Sequence, residues 1–427
     1  MLCTALAGLL SATTTVQKPD GGPSPKEIEV AIERYFALDA RSEAGAAEQR
    51  KILDELARVP QLTAQQEKSW RDRLLKVAAK SGPELENDSG RHWFWPEGKK
   101  SDRGKGLYIV GGDTKKPKGL LIGMHGGGAG EGDAWSAHGV LNQVASEFDW
   151  VGIYPEVLKK TEHGWTDSGT EEFVTDLIEA AIRTWKIDRD RVYLSGHSMG
   201  GYGSWLLGAH HADVVAGIAP SAGAPTPIVN SAGIVADIDW GVIPSLRNVP
   251  IRIYQSDDDK NVSPEANRVA AKKLEEAKQR WGGFDFEYWE VPGRGHDLPP
   301  GGMEALCSKI SDKKRNARPV KVVWQPVLEW KRHFYWLWWD TPQKYAIVEA
   351  EIDKAKNEVR VKCDQDAQGL CVLLEDGLVD FDKEVVVTLE GKEVFRGAPV
   401  RTLGTLLRTA VRNDAQLAFS ALVPLAP

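Results

Sequence analysis

The chain has 427 residues, more than one hydrophobic core usually serves, so two or three domains are expected. A hydrophobic share of 42% and a charged share of 27% are those of a soluble globular protein. The formal net charge of −7, with no concentrated lysine or arginine stripe, argues against nucleic acid as the main partner; no run reaches the roughly 20 apolar residues of a membrane span.

Four cysteines (Cys3, Cys307, Cys363, Cys371) are too few and too scattered for a disulfide scaffold or a zinc site. Cys363 and Cys371 either meet across a short loop or stay unpaired in a core. Met1 to Leu10 are mostly apolar and lead into Ser11-Ala12-Thr13, like the later half of a secretory signal peptide without its positively charged start. Export, secreted or periplasmic, is the expectation, with the cytoplasm as the alternative. Residues 1–24 read as a signal-peptide remnant and linker, closed by Pro19, Gly21, Gly22 and Pro23.

Residues 25–90 read as a helical segment packed on the main domain. Ser24 is an N-cap followed by Pro25, and Ile28, Ile32, Tyr35 and Phe36 share one helical face. Ile52, Leu53, Leu56 and Val59 repeat that spacing until Pro60. Thr63 with Gln66 forms a capping box that opens a third helix, with Trp70, Leu74 and Ala78 inward.

From residue 91 to 318 strands alternate with helices, which implies a mostly parallel sheet covered on both faces. The predicted strands are Leu107–Val110, Gly119–His125, Trp150–Tyr154, Arg191–Ser195, Val214–Ala219, Ile251–Gln255 and Phe284–Val291; Glu171–Trp185 and Pro264–Arg280 are helices. In such sheets chemistry gathers at the carboxyl ends of the strands. Four loops there carry it. After the second strand comes His125-Gly126-Gly127-Gly128, whose Gly127 N–H, with Gly128 beside it, is expected to face a developing negative charge. After the fourth comes Gly196-His197-Ser198-Met199-Gly200, a strand–G-x-S-x-G–helix turn that projects the Ser198 hydroxyl above the sheet and turns the Met199 amide towards an oxyanion. Ser256-Asp257-Asp258-Asp259 offers three adjacent carboxylates that residue type alone does not separate. Gly293-Arg294-Gly295-His296 brings the general base; of nine histidines only His296 and His333 follow both the serine and the aspartates, and His333 sits in an aromatic run.

These stretches, LIGMHGGG (Leu121–Gly128), IDRDRVYLSGHSMGGYGSW (Ile187–Trp205) and GRGH (Gly293–His296), resemble the α/β-hydrolase superfamily, and within it the esterases related to polyhydroxybutyrate depolymerases, feruloyl esterases and predicted secreted peptidases. The resemblance covers about Trp93 to Val323. In that family the aspartate loop commonly reads HGxxDxxVP. Tyr254–Pro264 (YQSDDDKNVSP) lines up with Asp259 in the acid position, although Gln255, Ser256 and Ser263 replace the usual His, Gly and Pro, so Asp257 and Asp258 stay open. The resemblance implies an α/β-hydrolase fold and a serine carboxylic-ester hydrolase working through an acyl-enzyme with Ser198, His296 and Asp259. Its oxyanion donors are Met199 and Gly127; its substrate is an acyl ester, with aryl or polysaccharide-linked esters as the candidates, a choice that the resemblance does not make. A serine peptidase and an inactive carbohydrate-binding or scaffold protein are the alternatives. Trp135, Trp165 and Trp240 fall in loops at the same sheet edge and are expected to bind substrate. Ala224–Val249 is long enough for a lid or substrate wall. No metal-ligand spacing, phosphate loop or dinucleotide fingerprint occurs, so no metal or cofactor is expected.

Lys313-Lys314-Arg315 reads as a solvated linker. Beyond it, residues 319–427 form a Trp-rich β domain with strands Tyr345–Ile352, Glu358–Lys362, Leu370–Leu374, Glu384–Glu390, Glu393–Phe395 and Ala418–Val423, and a short helix at Leu403–Val411. Aromatics occupy both alternating faces of Phe334–Trp339, which favours packing over an exposed carbohydrate platform.

Overall fold

The computed structural model describes residues 22–98, 103–161, 163–226, 238 and 241–426. Its centre is an eight-stranded sheet of β1 (Gly90–Pro96), β2 (Gly104–Gly112), β3 (Gly119–Met124), β4 (Trp150–Pro155), β5 (Val192–His197), β6 (Gly217–Ser221), β7 (Ile251–Ser256) and β8 (Phe286–Val291), in the order β1-β2-β4-β3-β5-β6-β7-β8. β2 runs antiparallel to both neighbours; β4, β3 and β5 to β8 are mutually parallel. Strands β3 to β7 are buried nearly end to end, as strands covered on both faces must be. The pleat divides their side chains between two cores. Leu121, Tyr193 and Tyr254 pack under α4 (Ala134–Glu147) and α8 (Gly302–Cys307). Leu120, Ile122, Leu194 and Ile253 join the core on the face that carries α5 (Thr170–Trp185), α6 (Met199–His210) and α7 (Pro264–Trp281).

The seven expected strands of this sheet all form, and the two expected N-terminal caps, Ser24 and Thr63, are in place, joined by a third at Ser42. Ser24 starts α1 (Pro25–Ala37), Ser42 starts α2 (Glu43–Leu56), and Thr63 with Gln66 closes a capping box on α3 (Ala64–Lys80). The partner of these helices differs from expectation. Ile28, Ile32, Ile52 and Leu74 pack mainly against Leu403, Leu406 and Leu407 of α9 (Leu403–Ala410), near the far end of the chain, rather than into the hydrolase cores. Amphipathic spacing reveals that a face is buried; it does not reveal against what.

Residues 319–426 add a five-stranded and a four-stranded sheet. In the first, Glu390 and Gly391 take left-handed backbone angles (φ 50° and 75°) and turn the expected hairpin. The tryptophan cluster is packing: Phe334, Tyr335, Trp336 and Trp339 are buried, Trp324 stacks on Phe334 at 5.3 Å, and the Tyr335 hydroxyl donates to the Ala212 carbonyl at 2.6 Å. Cys307, Cys363 and Cys371 are buried free thiols. Arg315 corrects the linker reading, for its side chain is buried and bonded to Asp190 (2.8 Å), Asp414 (2.7 Å) and the Asp213 carbonyl (2.8 Å). The expected signal remnant lies in residues outside the described set, and no helix among the described residues is long and apolar enough to cross a membrane.

Candidate active site

The turn between β5 and α6 places Ser198 at φ 59°, ψ −123°, a conformation that costs a non-glycine residue on the order of 1–3 kcal/mol. The strain is fixed from three sides: Ser198 N–H donates to the Ser221 carbonyl (2.9 Å), and its own carbonyl accepts from Gly201 (2.8 Å) and Tyr202 (3.2 Å). Close approach explains the flanking glycines. A side chain at Gly196 would put Cβ 2.6 Å from the Met124 carbonyl oxygen and from the Gly200 backbone.

His296 stands over this turn. Its Nε2 is 2.9 Å from Ser198 Oγ and its Nδ1 is 2.7 Å from Asp259 Oδ2. With Nδ1–H donated to the carboxylate, Nε2 is free to accept the serine hydroxyl. The Asp259 side chain is fully buried, and four donors compensate that burial. Oδ1 accepts Asn261 N–H (2.9 Å) and Val262 N–H (3.0 Å); Oδ2 accepts Gln255 Nε2 (3.1 Å) as well as the imidazole. Gln255, standing where the family pattern has His, is itself held by Asn267 at 2.8 Å.

The other two aspartates hold the histidine loop by its backbone. Asp257 Oδ1 accepts Gly293 N–H (2.9 Å) and Asp258 Oδ1 accepts Gly295 N–H (2.7 Å). Ser256 Oγ donates to Asp258 (2.7 Å) and accepts Arg294 N–H (2.9 Å). One run of three like residues thus splits into two loop anchors and one imidazole partner.

The glycine loop lies against the serine turn: Cβ at Gly126 would come 3.3 Å from Ser198 Cβ. Gly127 has φ +126°, and Met199 N–H opens α6, where no helical carbonyl precedes it. His125 anchors the loop, donating from Nδ1 to the Gly126 carbonyl (2.8 Å) and accepting Val157 N–H at Nε2 (3.2 Å).

The three tryptophans diverge. Trp135 is 51% exposed on the first turn of α4, a helix where a loop was expected, with its ring edge against His138. Trp165 corrects the expectation of a substrate contact. It is buried beneath the glycine loop, where its indole N–H donates to the His125 carbonyl at 3.1 Å, so it supports the loop. Trp240 lies outside the described residues, as do 227–237 and 239 of the expected lid.

Sequence reasoning passed over His197, the second residue of the elbow. Its Nδ1 is 2.9 Å from Ser221 Oγ, and its ring lies 4.8 Å from that of His296. Burial, then the neighbouring His296, pulls its pKa down to about 4; burial does the same to His333, down to about 3. Both values fall below the ordinary 6.5, so at mildly acid pH the unfolded chain binds more protons than the folded one. That stability is whole above pH 6.5 and is lost as pH falls towards 4. At pH 5 the loss is on the order of 2 kcal/mol per histidine. A melting temperature clearly lower at pH 5 than at pH 7 is expected; equal values would contradict these two shifts.

The strand order and the strand–serine–helix turn define an α/β-hydrolase fold. No protein-family model and no curated protein sequence matches the chain. Among solved structures it is similar to a thermostable esterase, at 18% identity over 49% of this chain and 60% of that one, with a TM-score of 0.38. It is also similar to a ferulic acid esterase from Anaeromyces mucronatus (17%, 53% and 90%, TM-score 0.36) and an acetyl xylan esterase from Aspergillus awamori (12%, 48% and 93%, TM-score 0.37).

Proposed function

We propose that this chain is a serine carboxylic-ester hydrolase acting on small or polymer-linked esters, with Ser198 as nucleophile, His296 as general base and acid, and Asp259 as the buried orienting carboxylate. The observation that carries this reading is the unbroken relay of 2.7 Å from Asp259 to His296 and 2.9 Å from His296 to Ser198. His296 takes the hydroxyl proton as Ser198 Oγ attacks the ester carbonyl, and Asp259 steadies the imidazolium that forms. The amides of Met199 and Gly127 stabilise the tetrahedral oxyanion, each donor contributing on the order of 3 kcal/mol to the barrier reduction. His296 then protonates the leaving alcohol, and water repeats the cycle on the acyl-enzyme. Short nitrophenyl esters assayed beside peptide anilides test the reading: ester turnover supports it, anilide turnover alone favours a peptidase, and neither favours a binding protein.

Trp135 is the candidate substrate contact. Trp135→Ala is expected to raise KM for aryl esters about 3- to 10-fold with kcat little changed, the worth of one aromatic contact. His197 is a positioning residue that links the end of β6, through Ser221, to the catalytic imidazole it lies beside. His197→Ala is expected to lower kcat about 10- to 100-fold and leave KM nearly unchanged, since a misplaced base weakens the transition state alone. A change confined to KM would contradict that role.

A further inference from the structure

A cavity of about 720 Å³ lies between the N-terminal helices, α5 and the C-terminal segments, apart from Ser198. The residue after α6, His211, lines it, whereas Ser198 precedes that helix; twelve residues at 1.5 Å put the two roughly 18 Å apart. All three parts of the chain supply walls: α1 and α2, residues 175–183 of α5, and the segments 330–340 and 408–412. Ser198, Asp259 and His296 take no part.

The charge on those walls is unbalanced. Seven cationic side chains face four carboxylates, in a chain whose net charge is −7. Each carboxylate is already engaged. Asp176 and Asp39 lie 2.9 and 3.6 Å from the Arg41 guanidinium, and Glu179 holds Arg189, outside the wall, through bonds of 2.7 and 3.0 Å. Asp340 accepts the Trp338 indole N–H at 2.7 Å. Arg50, Arg183, Arg332 and Arg408 are left with no carboxylate in ion-pair range among the described residues. Arg183 donates to the Pro83 carbonyl, Arg332 to those of Ala40 and Asp340, and Arg408 lies 4.7 Å over the Trp338 ring. Burial also draws the Arg183 and Arg332 guanidiniums below their ordinary values.

Guanidinium edges left open in a recess fit the two oxygens of a carboxylate or phosphate. Trp95, 44% exposed, and Trp338 add flat apolar walls beside them. The volume is that of a small-molecule site. We propose that this cavity is a second, non-catalytic binding site for an acidic sugar, its carboxylate or phosphate held by the free arginines and its ring resting against tryptophan.

Calorimetric titration of the full chain with D-glucuronate, glucose 6-phosphate, glucose and inorganic phosphate tests this. At least one acidic sugar is expected to bind 10-fold or more tighter than both glucose and inorganic phosphate, and to weaken several-fold between 20 and 500 mM salt on the order expected for exposed ion contacts. Which acid binds tighter tells carboxylate from phosphate. Arg50→Gln and Arg183→Gln are each expected to weaken that binding at least 5-fold; Arg50 makes no hydrogen bond or ion pair among the described residues, so its replacement leaves the protein folded. Acidic sugars binding no tighter than glucose, inorganic phosphate binding equally well, or variants binding like wild type would overturn the proposal.

Discussion

Asp259→Asn is expected to lower kcat for ester hydrolysis about 10⁴-fold, while Asp257→Asn and Asp258→Asn each cost less than about 10-fold. Only Asp259 touches the imidazole. Its carboxylate fixes the proton on Nδ1, which leaves Nε2 to accept from Ser198; an amide there stabilises the wrong tautomer and gives no charge to the imidazolium. Asp257 and Asp258 each accept a backbone N–H of the histidine loop, a task the asparagine oxygen still performs. Steady-state kinetics on the three variants checks this. A loss at Asp258 equal to that at Asp259 would mean that the loop, not the imidazole, is what the acidic run controls.

Ser198→Ala is expected to cost more, about 10⁶-fold in kcat, because the acyl-enzyme route is then closed. The fold should survive, since the bonds fixing the turn use the backbone of residue 198 and not its hydroxyl. Single-turnover measurements with a nitrophenyl ester check both halves: no burst of nitrophenol, and an unchanged melting profile. A burst of undiminished size would point to another nucleophile.

The sheet was legible because burial on both faces writes long apolar runs, as in Gly119–Met124 and Ile251–Ser256. β1, an edge strand with no fully buried residue, left no such signal. α4 was missed for a related reason: Ala134–Glu147 mixes Ala, Gly, Ser and Asn, and its amphipathic stripe is faint. At the candidate site Ser198 stood out because it lies between glycines on a turn after a strand, and His296 because it follows Gly293 and Gly295 in a loop after a strand. The three aspartates could not be told apart, since what separates them is the path of the loop across from them, from Gly293 to His296. Trp165 failed likewise. A lone indole in a polar loop reads the same whether it faces a substrate or props a backbone carbonyl, as it does here for His125. His197 gave no signal, because a histidine in that place declares its neighbours only once β6 lies beside β5.

The central claim, that Ser198 is a nucleophile activated by His296, is tested most directly by treating the folded protein with a fluorophosphonate and mapping the adduct by peptide mass spectrometry. One adduct per chain on Ser198, formed far more slowly in His296→Ala, is the predicted result. No adduct, or one on a different serine, would contradict it.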